Sequence, residues 1–195
     1  MNKILKSLFF TFGIIFSLYL ILPGPSLPPP DLPDSLKSDE PGDTIQLINV
    51  SAYYTEKDRE TVIKFYQDYF SRSSFLNIPL PTIRLNHPPE TAKTIIKDTM
   101  QTYYLEELAH PLRESLFING FEWEKDVFTP VEKRAKNKMI YRGIVWPAKI
   151  TLKWSGSNTL VRLAVFWPAW ILFGFCLGLF IQQIKLTFKN IFFKK

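Results

Sequence analysis

Apolar residues are distributed unevenly along this chain. Two uncharged apolar runs, residues 7–22 and 163–181, bracket a middle in which apolar positions alternate or recur at helical spacing. At about 1.5 Å rise per residue, the second run spans roughly 28 Å, close to the hydrocarbon thickness of a bilayer. The pattern predicts two membrane-spanning helices with one folded domain held between them.

Within the middle, Ile48, Val50, Ala52 and Tyr54 fall on alternate positions and predict a strand over 44–54. Thr55, with Asp58 three residues on, predicts a capped helix start. Val62, Phe65, Tyr66, Tyr69 and Phe70 would form that helix's apolar face, with Glu60 and Lys64 paired on the other side. A short strand is expected over 82–85. Pro88 and Pro89 suit the entry to a second helix over 90–101, burying Ala92, Ile95, Ile96 and Thr99. A strand follows over 103–109. Residues 116–118 and 121–123 flank Asn119-Gly120, a dipeptide favoured in two-residue hairpin turns. Further strands are expected over 139–145 and 148–154, the last placing Ile150, Leu152 and Trp154 on one face. The fold class is therefore a membrane protein with two transmembrane helices flanking a small exported α+β domain, mostly antiparallel sheet with two helices on one side.

The organisation reads as an N-terminal anchor (1–22), a Pro-rich linker (23–42), an extracytoplasmic domain (43–157), a second transmembrane helix (160–184) and a basic tail (185–195). Seven prolines between 23 and 41 forbid a helix or central strand and predict an extended, polyproline-like strap. A cleaved signal peptide is the rival reading of the first segment. Gly24-Pro25-Ser26 is its best cleavage site, and the proline there disfavours cleavage. Only residues 155–159 separate the last strand from the second span, so the domain is expected directly on the membrane surface, with the strap running along it. Beyond Gln183, Ile184, Leu186, Phe188, Ile191 and Phe192 interleave with lysines, which suits a short interfacial helix.

Charge sharpens the topology. The formal net charge is +6, but Lys3, Lys6, Lys185, Lys189, Lys194 and Lys195 lie at the extreme ends. The other 18 basic residues balance 18 acidic ones, so the middle is neutral. A neutral domain argues against nucleic-acid binding, and basic flanks at both ends predict cytoplasmic termini and an exported centre. The only cysteine, Cys176, lies inside the second span. The domain is therefore expected to hold no disulfide and no thiol for catalysis or metal binding.

Candidate chemistry is sparse. His87 precedes two prolines, and His110 sits in a stretch with Glu106, Glu107, Arg113 and Glu114. An enzyme reading, such as an envelope hydrolase, would use His110 with Glu107 and Glu114 as neighbouring carboxylates. No phosphate loop, dinucleotide fingerprint, nucleophile elbow or metal-ligand spacing accompanies them, and no cofactor is expected. Asn49-Val50-Ser51 matches a glycosylation triplet inside an expected strand. Lys133, Arg134, Lys136 and Lys138 form a basic cluster suited to an anionic surface. In the spans, Gly13 with Ser17 and Gly174 with Gly178 are small residues four apart that permit close helix packing, with each other or with another copy or protein. The expected partners are membrane lipid and a protein partner, or self-association through the spans. The expected role is an accessory, scaffold or receptor-like binding domain.

Overall fold

The computed structural model describes residues 3–44, 47–96, 102–126 and 129–192. The chain divides into two compact units, Met1–Leu22 with Ser157–Lys195, and Pro23–Gly156.

The first unit pairs helix α1 (Lys3–Ile21) with helix α6 (Thr159–Phe192). All of α1 and residues Thr159–Thr187 of α6 are long and apolar enough to cross a membrane. Their contacts run antiparallel. Phe9 stacks on Trp170 at 4.8 Å between ring centres, Phe16 stacks on Phe166 at 5.2 Å, and Arg162 Nη1 donates to the Leu20 carbonyl at 3.1 Å. That last bond places a cation on a C-terminal carbonyl of α1, where the helix dipole is negative. The small residues serve this packing by receiving rings. A Cβ on Gly13 would lie 2.7 Å from Trp170 Nε1, and one on Gly174 would lie 2.6 Å from Phe9 Cζ. Ser17 is buried and returns its hydroxyl to the Gly13 carbonyl at 2.8 Å. Gly178 meets nothing within 4 Å. Residues read as a separate interfacial tail continue α6 without a break as far as Phe192.

The second unit is built on a six-stranded antiparallel sheet in the order β1-β2-β8-β5-β4-β3. Its strands are β1 (Ser35–Lys37), β2 (Val50–Thr55), β3 (Ile83–His87), β4 (Tyr104–Ala109), β5 (Ser115–Glu122) and β8 (Ala148–Ser155). One face carries Tyr53, Ile150, Leu152, Trp154, Leu116, Ile118, Tyr104 and Leu108. Helix α3 (Arg59–Phe70) lays Val62, Ile63, Tyr66 and Phe70 on it. On the opposite face, Leu105 and Phe117 meet Ala92, Ile95 and Ile96 of the short helix α4 (Ala92–Ile95) and its end. Tyr54 and Phe121 there meet a separate hairpin, β6 (Met139–Tyr141) with β7 (Ile144–Trp146).

Several expectations are thereby corrected. The helices lie on opposite faces rather than one side, because both faces of the central strands are apolar. For the same reason every residue of β2 is buried. That strand begins at Val50. Asn49 sits ahead of it in a left-handed turn, and Pro41–Thr44 form one helical turn, α2. Asp58, not Thr55, caps α3, accepting from the Thr61 N–H at 2.9 Å, while Thr55 ends β2. Glu60 pairs with Arg84 rather than Lys64. Ile63 joins the buried face of α3, where Tyr69 is only half-buried. The second helix shrinks to a 3-10 turn at Pro89–Thr91 followed by α4, and residues 97–101 lie outside the described residues.

Two turn assignments also change. Asn119-Gly120 makes no turn: β5 runs straight through it, and the chain reverses at 110–114 instead. Gly120 is needed because the Tyr104 ring lies on its Cα, where any Cβ would overlap Tyr104 Cζ. The expected strand over 139–145 is a hairpin. Its turn residues, Arg142 and Gly143, both take positive φ, 51° and 77°, as a two-residue turn of type I′ requires.

Residues read as a linker belong to this unit. Leu32 is in the main core, and Ser35–Lys37 pair with Tyr53–Thr55 as the sheet's first strand. The strap's carbonyls accept hydrogen bonds from Ser73 Oγ (Pro23, 2.6 Å), the Ser74 N–H (Gly24, 2.9 Å) and the Tyr69 hydroxyl (Ser26). Asp31 accepts from the Tyr53 hydroxyl at 2.8 Å. Residues 23–32 belong to no helix or strand, so these carbonyls are not taken up by a backbone ladder and accept from α3 and its following loop instead.

Candidate binding cleft

β3 is the outer strand at one end of the sheet, and its last residues open into a cleft of about 340 Å³. Asn86 and His87 of β3, Pro88 and Pro89, Tyr103 and Tyr104 at the start of β4, and Arg59 at the start of α3 line it. The Asp58 cap fixes where α3 begins, and so places Arg59 at the cleft wall. The Arg59 guanidinium lies over the Tyr104 ring at 4.8 Å from its centre.

Behind the cleft is an ion-pair network. Glu106 is fully buried, and its carboxylate accepts from Arg59 Nε at 3.0 Å and from Arg84 Nε and Nη2 at 2.8 and 3.0 Å. Arg84 also grips Glu60 through two bonds of 3.0 and 3.1 Å. Burial pushes the Glu106 carboxyl up, but hydrogen bonds from Arg84 and Arg59 outweigh it and hold the group below the ordinary glutamate range. The bonds to Glu106 and Glu60 raise Arg84 further still, so it is permanently charged. The Tyr104 hydroxyl is buried, with no hydrogen-bond partner among the described residues, and burial raises its pKa far above the ordinary tyrosine range. It stays neutral. At the cleft's other side, His87 Nε2 meets Glu107 Oε2 at 2.8 Å.

The residues singled out around His110 do not share this cleft. His110 is itself buried, with Nδ1 on Glu114 at 2.8 Å, Nε2 on Thr82 at 3.1 Å, and its ring stacked on Phe70 at 4.3 Å. Arg113 Nη2 completes that cluster on Glu114 at 2.9 Å. Glu106 and Glu107, being neighbours on a strand, point to opposite faces. Glu106 joins the arginines and Glu107 joins His87. The five residues thus separate into three groups.

In the basic stretch, Lys133 and Arg134 lie on helix α5 (Val131–Arg134) and Lys136 follows in a 3-10 turn. Arg134 is turned onto the carbonyls of Glu124 and Thr129 at 2.8 and 3.1 Å, and Lys138 lies over the Trp123 ring at 5.2 Å. Both contact their own loop, and Lys133, Lys136 and Lys138 are exposed. The cleft residues Arg59, Asn86, Tyr103 and Tyr104 carried no sequence signal as a site. They are far apart in the chain and adjoin only through β3–β4 pairing and the packing of α3. No family model, curated protein or solved structure matches the chain.

Proposed function

We propose that this chain is a membrane-anchored, non-enzymatic binding protein. Its two apolar helices span the membrane with both termini in the cytoplasm. Its Pro23–Gly156 unit is exported and takes an extended segment of a protein partner along the free edge of β3, with the end of that segment in the cleft. The observation that carries this reading is β3 itself: a five-residue edge strand, four of whose residues are exposed, leading directly into the cleft. An unpaired edge offers a row of backbone donors and acceptors to an added strand, and side-chain pockets then supply selectivity. The other edge, β1, has only three residues.

The cleft suits docking better than catalysis. Its arginine and histidine are already engaged, Arg59 with Glu106 and His87 with Glu107, and its other walls are tyrosine, proline and asparagine. Aromatic and proline surfaces give rigid contact area at small entropic cost. His110 is sealed beneath Phe70 and serves, in this reading, as a strut between Glu114 and Thr82.

The test is extraction of the tagged full chain from its native membranes in mild detergent, then affinity capture and mass spectrometry. The unaltered protein should bring down a stoichiometric partner. Leu85→Lys and Tyr103→Ala, which change the edge and the cleft wall, should each lose it by about tenfold, the scale of an interface hot spot of 1–2 kcal/mol. Recovery of one species with no partner would overturn the proposal. His110→Gln should keep the partner.

A further inference from the structure

The chain enters and leaves the Pro23–Gly156 unit at the same end, and exposed apolar side chains crowd there. At the entry, Pro23 and Gly24 are tied to Ser73 and Ser74 by the bonds of 2.6 and 2.9 Å described above. Gly24 also lies so close to the 110–114 turn that a Cβ on it would be 2.5 Å from Glu114 Oε1. At the exit, Ser155 of β8 pairs with Ser115, the residue after Glu114, and the Trp154 N–H donates to the Asn49 carbonyl at 3.1 Å. Three segments therefore surround the two passages: the loop after α3, the β4–β5 turn and the approach to β2. Each presents large apolar residues to solvent: Phe75 (53% exposed) and Leu76 (78%), Leu112 (65%), and Ile48 (84%). Leu76 and Leu112 sit at turns with φ of 55° and 60°, a backbone state that leucine rarely adopts.

At the opposite end of the sheet the loops carry Glu56, Lys57, Asp58, Glu124 and Lys125, and the adjoining segment also exposes Val131, Ile140, Ile144 and Val145. Four large exposed apolar side chains beside the chain's two passages suit contact with hydrocarbon.

We infer that Ile48, Phe75, Leu76 and Leu112 form a seat that enters the interfacial layer of the lipid bilayer. The occupant is lipid because of what adjoins these residues in the chain. Pro23 directly follows Leu22 at the end of α1, and only residues 156–158 join β8 to α6, a link that reaches at most roughly 14 Å when extended. Both helices are long and apolar enough to cross a bilayer. The inference rests on the membrane-anchored reading proposed above. It adds an orientation. Ile83 of β3 belongs to the row that pairs through Ala109 and Ser115 to Ser155, at the seated end, whereas His87 pairs with Leu105 at the other. The cleft then opens away from the lipid, where a soluble partner segment can reach it.

The test uses the full chain with Cys176→Ser, reconstituted in phosphatidylcholine vesicles containing lipid spin-labelled at shallow or deep acyl positions. A single cysteine is placed by Leu76→Cys, Leu112→Cys, Lys57→Cys or Leu172→Cys and carries an environment-sensitive fluorophore. At positions 76 and 112 the emission should shift to the blue and be quenched at least twofold more by shallow labels than by deep ones. At position 57 it should remain aqueous, and at position 172, within α6, deep labels should quench it best. Deep quenching at 172 with aqueous emission at 76 and 112 would overturn the seat while leaving the membrane anchors intact. Aqueous emission at 172 would overturn the anchors themselves. Blue-shifted emission at 76 and 112 that no lipid label quenches would mean that protein, a second copy or a partner, covers the rim, and would also overturn the inference.

Discussion

Glu106 shows how one side chain links sequence, fold and site. A buried carboxylate is tolerated only when paired, and here two arginines from different elements share it. Removing the charge leaves both guanidinium groups without their main partner. Glu106→Gln should cost about 2–3 kcal/mol, at the lower end for a broken buried pair because the arginines are partly in water. A lower denaturation midpoint of the full chain in detergent would show it. The pH dependence follows from the direction of the shift. The folded Glu106 pKa lies below its ordinary 4.5, so its contribution is complete above that value and is lost as pH falls through the folded value. The stability gap between the unaltered protein and Glu106→Gln should therefore narrow on going from pH 7 to pH 3, and a gap that widens in acid would contradict the pairing. Gly120 is the second critical position. Gly120→Ala forces a methyl into the Tyr104 ring and should destabilise by about 3 kcal/mol or more, whereas Gly120→Ala with Tyr104→Leu should recover part of that loss. Neither role was legible locally. Asn-Gly is a strong hairpin signal, and it misleads here because a long-range ring contact, not a turn, demands the glycine.

Among the elements, helix α3 and strand β8 followed from periodicity because each has one consistently apolar face, whereas β4 carries a glutamate on each face. Ile150, Leu152 and Trp154 share the side expected of them, against the main core. Thr55 and Asp58 are both residue types favoured at a helix N-cap, and the end of β2 at Thr55 decides between them. Asp58→Ala should lower stability by about 1 kcal/mol through loss of the bond to Thr61, measured by the same denaturation midpoint. The strap is the element whose standing changes most. Its prolines predict chain without helix, which holds from Pro23 to Glu40 but not at Pro41, where α2 begins, and composition alone does not say that Leu32 is buried or that Ser35–Lys37 pair with β2. If the strap is an integral part of the unit, Leu32→Ala should cost about 2–4 kcal/mol, as for a core leucine. A neutral result would return it to the status of a linker.

For the molecule as a whole, the chain resolves into a pair of apolar helices and a sheet unit with helices on both faces. In the helix pair, Gly13→Leu would displace the Trp170 indole, and disulfide trapping between cysteines introduced at Phe16 and Phe166 should fall several-fold. The arrangement along one dimension is legible in the residues themselves. Two uncharged apolar runs, neutral charge between them, basic ends and one cysteine within the second run are all properties of residues near each other in the chain. So are the single-faced elements, because hydrophobic burial imprints a period on consecutive residues. The three-dimensional fold was needed to show which strands lie outermost in the sheet, which carboxylate meets which cation, and that the chain's two passages share one end with four exposed apolar side chains. Those features depend on strand order and on contacts between residues tens of positions apart. A side chain's environment there is set by neighbours that leave no trace in its own stretch of sequence.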